Sequence, residues 1–222
     1  MASRREAPDA LDFFPTPPWA TRALLEHVYP FQMTTALQTC WEPAAGEGHM
    51  AEVLRPYFRA VHASDVHDYG RGYAQGSFVG EGLDVAECPF DPDWIITNPP
   101  FNLALPFAAR AIVTAKRGVA LLVRTSWLEG VERFNELFHA TPPWRVGLFV
   151  ERVPMVKGRW DPAASTATSY AWIVWRTDIM SFGTELVWIP PGCRQALTYH
   201  EDVNRFGPAP EAGPSLFDEA LA

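Results

Sequence analysis

The residues best suited to chemistry in this chain are Asn98, Pro99, Pro100 and Phe101, which close the run Trp94-Ile95-Ile96-Thr97. A short apolar run of this kind reads as a buried strand, and two prolines end it at once. Proline fixes its own φ and biases the residue before it toward extended backbone. Asn98 is therefore held at the carboxyl end of a strand with its amide projecting, and the Pro99 carbonyl has little freedom to turn away. Two rigid acceptors beside a flat ring suit the –NH2 group of a planar ring or an amide. The competing reading of Phe101 is an ordinary core aromatic.

A second group lies upstream, in Glu42-Pro43-Ala44-Ala45-Gly46-Glu47-Gly48. Its glycines let a ligand approach the backbone at the opening of a helix, where amide N–H groups lack intrahelical partners. Asp65 follows Gly48 by 17 residues and ends a second predicted strand. A carboxylate there can accept both ribose hydroxyls of an adenosine-type ligand. The spacing Gly46-x-Gly48-x-x-Ala51 also satisfies the dinucleotide pattern, so glycines alone do not choose between ligands. Glu42 favours a cation, because it would repel a pyrophosphate and attract a sulfonium or an ammonium. Asp84 could accept a proton from an adenine amino group, or simply form a turn.

These groups need a scaffold that brings loop ends together, and the periodicity supplies one. Strands are predicted at 37–41, 60–64, 94–97, 118–123, 146–150, 170–175 and 186–189. Helices are predicted from Thr16 (as N-cap, with Pro17 at the first helical position) to about Val28, and at 47–54, 103–117 and 131–139. Strands alternating with helices imply an α/β fold with a doubly wound, mostly parallel seven-stranded sheet. Residues 13–200 form one expected domain, with residues 1–12 a flexible N-terminus and residues 201–222 a disordered acidic tail.

Bulk properties narrow the class. The chain has 222 residues, 48% of them hydrophobic, enough for one full core. No run of 18 apolar residues or secretory signal is present, and three scattered cysteines argue for a reducing cytoplasm. The net charge of −8 is uneven: residues 1–100 carry −8, residues 101–176 carry +5 and residues 177–222 carry −5. A basic stretch beginning just after Asn98-Pro99-Pro100-Phe101 is compatible with a polyanion on one face. His62, Asp65, His67 and Asp68 read as polar loop residues rather than a metal site.

The order Phe13-Phe14-Pro15-Thr16-Pro17, Glu42 to Gly48, Asp65, then Asn98-Pro99-Pro100-Phe101 resembles the class I S-adenosylmethionine-dependent amino-methyltransferases. With the Thr-Pro-Pro element ahead of the glycine loop, it is similar to the gamma arrangement of DNA adenine-N6 methyltransferases, in particular the small phage and prophage forms. The resemblance implies a Rossmann-like domain with S-adenosylmethionine as cofactor and DNA as partner. Phe14, Thr16 and Pro17 would wall the cofactor's methionine end, over the loop of Glu42, Ala44, Gly46 and Gly48. Asp65 would hold the ribose and Asp84 the cofactor's adenine edge. Asn98 and Pro99, stiffened by Pro100, would grip the target amine while Phe101 stacks on the base. Gamma enzymes usually carry a sizeable target-recognition domain, and here little chain remains for one. The same motif serves RNA adenine N6, RNA guanine N2 and glutamine amides, which stand as the alternative substrates.

Three further features carry expectations. Arg124, just past a predicted strand end, lies on the site's edge. Lys157, Arg159 and Trp160 belong to a loop that could contact phosphates and stack on a base. Ser215, Leu216 and Phe217 partly resemble a sliding-clamp-binding peptide. An NAD-linked oxidoreductase leaves Asn98 to Phe101 unexplained, and the intact Asn98, Phe101 and Asp65 argue against a non-catalytic decoy.

Overall fold

Strand β4 (Trp94–Thr97) is buried at every residue, and it lies near the middle of an eight-stranded sheet. The computed structural model describes residues 13–29, 35–80 and 82–207. The other strands are β1 (Thr39–Glu42), β2 (Ala60–Asp65), β3 (Ala74–Gln75), β5 (Gly118–Arg124), β6 (Arg145–Phe149), β7 (Tyr170–Arg176) and β8 (Glu185–Ile189). Their order is β3-β2-β1-β4-β5-β7-β6-β8, and only β7 runs antiparallel to its neighbours. Strands β1 and β4 are parallel neighbours, and the winding of the sheet turns back between them, from β1-β2-β3 on one side to β4-β5 on the other; their carboxyl ends are Glu42 and Thr97. Such a switch point opens a crevice between adjacent strand ends.

Alternation along the central strands feeds two cores. Trp94 and Ile96 of β4, Ala120 and Leu122 of β5, and Trp172 and Val174 of β7 face one side. Ile95, Val119, Leu121, Ile173 and Trp175 face the other. A period of two with both faces apolar is what a sheet covered by helices on both sides requires. Helix α1 (Pro18–Ala23), continued by a π-helical turn at Leu24–Val28, covers the first face. Helix α3 (Ala104–Thr114) covers the second. The smaller helices are α2 (Ala51–Leu54), α4 (Val131–Arg133), α5 (Cys193–Ala196) and α6 (His200–Phe206).

The α/β class and the mostly parallel sheet agree with the sequence reading, and several boundaries differ for physical reasons. The sheet has eight strands rather than seven, because the two-residue edge strand β3 is too short to show a period. Pro17, not Thr16, is the N-cap of α1, and no side chain caps that end. Helix α2 begins at Ala51 rather than Glu47, since positive φ at Gly46 and Gly48 makes the preceding segment a turn. Residues 134–138 form a π turn after α4. The chain does not lose structure at Glu201: α6 continues to Phe206, and its Asp202 is 4% exposed. The clamp-like segment Ser215-Leu216-Phe217 and residues 1–12 lie outside the described residues. Among those described, no helix is long and apolar enough to cross a membrane.

Candidate active site

The crevice at the switch point holds a cavity of about 130 Å³. Phe14 and Thr16 line it from the segment before α1, Glu42 and Ala44 from the end of β1, Asp65 from the end of β2, and Asn98, Pro99, Pro100 and Phe101 from the end of β4. Four segments distant in sequence thus meet at one place, because parallel strands present their carboxyl ends on the same edge.

Asn98 is fixed by its own amide. Its Nδ2 donates to the Phe14 carbonyl at 3.0 Å and lies 3.7 Å from Met155 Sδ. Since Nδ2 faces a carbonyl, the amide orientation is set, and Oδ1 is left as a buried acceptor without a partner. Orphaned buried acceptors are costly, and they are retained where a ligand satisfies them. Phe101 packs beside Phe14 with ring centroids 5.3 Å apart, and the Arg124 guanidinium lies 3.9 Å from its centroid. Arg124 is otherwise exposed and lies outside the cavity lining.

The two carboxylates at neighbouring strand ends differ in what they touch. Glu42 is 2% exposed, and its Oε2 has no partner. Burial, then the charge of Asp65, push its carboxyl well above the ordinary carboxylate range, while a bond from the Ala51 N–H partly opposes them. Asp65 is half-buried; it accepts the Gly46 N–H at 2.8 Å and the His67 N–H at 2.9 Å. Burial raises it as well, against those backbone bonds. Gly46 and Gly48 take φ of +53° and +88°, and a Cβ at either would collide with the Phe13 or Tyr73 ring respectively. The glycines therefore shape the loop, while Glu42, Ala44 and Ala45 supply the lining.

Some expected residues fall elsewhere. Pro17 caps α1 behind the cavity wall. Asp84 is exposed on a 3-10 turn outside the lining, where its backbone carbonyl accepts the Ser77 N–H at 2.7 Å. Ser77, Phe78 and Val79 take that wall instead. Trp160 is 4% exposed and cannot stack on an incoming base; it lines a second cavity of about 350 Å³ with Trp19 and Arg194. Lys157 and Arg159 flank Gly158, which takes φ of +78° in a tight turn whose N–H bonds to the Phe13 carbonyl at 2.9 Å. Arg159 is exposed and lies 3.6 Å from Asp161.

Sequence reasoning missed His49, Met50, Tyr69 and Phe13, all of which line the cavity. His49 is 3% exposed, and burial with the nearby Arg71 charge pulls its imidazole down to about 4. Its position directly after Gly48 was the one available signal. Among the described residues, no three His, Cys, Asp or Glu side chains converge to hold a metal ion.

Searches with protein-family models and against curated proteins return no match. Solved structures do match in shape. A type I restriction-modification methyltransferase subunit from Streptococcus thermophilus superposes with a TM-score of 0.57 at 11% identity, over 75% of this chain and 45% of its own. A proposed class I S-adenosylmethionine-dependent methyltransferase from Listeria monocytogenes gives 0.56 at 12% identity, over 86% and 71%. The fold is that of the Rossmann-like class I methyltransferases. A proposed RNA methyltransferase from Pyrococcus horikoshii gives 0.55 at 16% identity, over 81% of this chain and 93% of its own. This chain thus spans less than half of the restriction-modification subunit and nearly all of the archaeal protein.

Proposed function

We propose that this protein transfers a methyl group from S-adenosylmethionine to the exocyclic N6 amine of adenine in DNA, with the base flipped out of the stack. The observation that carries this reading is the buried, unpartnered Asn98 Oδ1 beside Phe101, in the same cavity as the unpartnered Glu42 Oε2. A cavity with two acids, glycine turns and aromatic walls fits a sulfonium nucleoside that also bears an ammonium group. Glu42 would take the cationic amino-acid end, Asp65 the ribose hydroxyls, and Phe14 and Thr16 the wall nearest the target.

When bound, the cofactor supplies an electrophilic methyl group on sulfur. The protein's part is to prepare the nitrogen. An adenine amine is a poor nucleophile because its lone pair is delocalised into the ring. Asn98 Oδ1 and the Pro99 carbonyl would accept its two N–H bonds and favour a pyramidal nitrogen. Asn98 and Pro99 would keep hold of the nitrogen as it takes the methyl group in place of one of its protons, which would pass to water. Alignment at near-attack distance contributes several kcal/mol, on the order of the effect of other oriented reactions. Flipping costs a few kcal/mol, and stacking on Phe101 offsets roughly 1–3 kcal/mol of it.

DNA is favoured by the Phe13-Phe14-Pro15-Thr16-Pro17 element ahead of the glycine loop and by the +5 charge of residues 101–176. A second reading is an RNA base, and one observation supports it: the proposed RNA methyltransferase from Pyrococcus horikoshii is matched over 93% of its own length. Labelled S-adenosylmethionine incubated with DNA, RNA or protein, followed by digestion and identification of the modified unit, separates them. N6-methyladenine in DNA is expected; label confined to RNA or protein would overturn the DNA reading.

A further inference from the structure

Five described residues hold a buried side-chain nitrogen or oxygen without a hydrogen-bond partner, and three of them, Glu42, Asn98 and His49, line the same cavity. The first two have work in the proposed reaction; His49 has none. It is the one of the three whose two polar atoms are both unsatisfied. A histidine packed for structure normally has at least one nitrogen bonded, because leaving both bare in the interior is costly.

The ring is also held in place. Phe206 of α6 stacks on it at 4.2 Å between centroids and 25° between planes, and Phe13 stands 6.3 Å away on the cavity side. Helix α6 is itself anchored at two points, by the Asp202–Arg22 ion pair at 2.6 Å and by Arg205 on Glu52 at 2.6 Å. An imidazole clamped with both nitrogens idle has the form of a preorganised ligand group.

The lining shows which part of a ligand it would serve. Two carboxylates, Glu42 and Asp65, line the cavity, and among the described residues no Lys or Arg does. An α-amino-acid end carries an ammonium and a carboxylate on one carbon. Glu42 suits the ammonium, so the carboxylate needs a nearby donor that is not an Arg or Lys. The other histidine of the lining, His67, is exposed and follows Asp65 at the ribose end. His49 follows Gly48 on the same loop as Glu42.

We propose that His49 is a binding residue for the carboxylate of the cofactor's amino-acid end, donating a ring N–H while Phe206 holds the ring in register. This rests on the S-adenosylmethionine reading above. The lowered imidazole basicity keeps His49 neutral near pH 7, with one donor and one acceptor.

The test compares two thioethers by titration calorimetry. S-adenosylhomocysteine carries the amino-acid end, and 5′-methylthioadenosine lacks it. His49→Phe keeps a stacking ring and removes both nitrogens. It should weaken S-adenosylhomocysteine roughly 10- to 100-fold, the range for a hydrogen bond to a charged group, and leave 5′-methylthioadenosine unchanged. Phe206→Ala, which spares the nitrogens, should give a smaller loss of the same selective kind. If His49→Phe does not fold, His49→Leu replaces it with the same expectation. Equal losses for both ligands, or no loss for either, would overturn the role of His49 while the cofactor reading stands. Failure of the wild-type protein to bind either ligand would overturn the cofactor reading, and the proposal with it.

Discussion

Two buried polar regions lie at either end of helix α1, and they are built on opposite terms. At one end, Arg22 donates to Asp202 through both terminal nitrogens, at 2.6 and 2.8 Å, and to the Leu197 carbonyl at 2.9 Å, while its guanidinium lies 3.9 Å from the Tyr199 ring centroid. Asp202 also accepts the Tyr199 N–H at 2.8 Å. At the other end, Glu42, His49 and Asn98 keep polar atoms buried and unpartnered around a cavity. The first region is complete within the chain and secures α6 to the domain. The second keeps buried polar atoms that no described residue satisfies. Burial of polar groups is therefore no guide to function by itself; what separates the two regions is whether their hydrogen bonds are satisfied.

The largest expected effect breaks the complete region. Arg22→Leu leaves Asp202 buried and uncompensated, and should cost about 3–5 kcal/mol of stability by urea denaturation. The double variant Arg22→Leu/Asp202→Leu should be less destabilised than Arg22→Leu alone. A double variant worse than the single would show that the pair contributes more than mutual compensation.

Next comes Asn98→Ala in the open region. Methyl transfer should fall roughly 10²- to 10³-fold, as when one preorganised polar contact is removed from an active site. Stability should move by only about 1 kcal/mol, for the lost bond to the Phe14 carbonyl. Cofactor affinity, measured by calorimetry, should hold within about twofold. Retained transfer would refute the assigned role of Asn98.

Glu42→Gln should move stability and binding in opposite directions. Its carboxyl is raised in the fold, so the protonated form favours folding. That contribution is full below the ordinary carboxylate range and is lost as pH rises through the raised value. The ligand-free protein should therefore melt progressively lower across that window, and Glu42→Gln should flatten the slope and raise the melting temperature. The same substitution should weaken S-adenosylmethionine about 10-fold or more, through loss of a charge-assisted bond. Tighter cofactor binding by the variant would contradict a cationic ligand.

The smallest effect is at the rim. Arg159→Ala should leave stability and cofactor affinity unchanged. If Arg159 contacts a phosphate, the slope of log affinity for DNA against log salt should fall by about 1. An unchanged slope would remove this turn from the nucleic-acid surface.

Much of the site was legible because a proline pair and a glycine pair act locally. Trp94–Thr97 was bounded correctly since Pro99 and Pro100 stop it, and Glu42 and Asp65 fall at strand ends that hydrophobic runs define. Asp84 was misplaced because the segment before β4 has no period to fix its orientation, and Ser77–Val79 provides the wall instead. Trp160 looked available in a loop of charged residues, yet a large indole beside Trp19 is worth more buried than exposed. The helix at 200–206 was read as tail because its composition is acidic and polar; its anchor, Arg22, lies 180 residues away from Asp202.

By itself the sequence determined the α/β alternation, the strand ends that carry Glu42, Asp65 and Asn98, and the type of group each could hold. Those follow from side-chain period and from φ restrictions, which act over a few residues. Only the tertiary structure decided which polar atoms are spent and which are spare. It committed the Asn98 amide N–H to Phe14 and left its oxygen free, closed the account at Arg22, and set His49 between Phe206 and the cavity with both nitrogens open. Whether a hydrogen bond is satisfied depends on partners distant in the chain, and no local pattern encodes them.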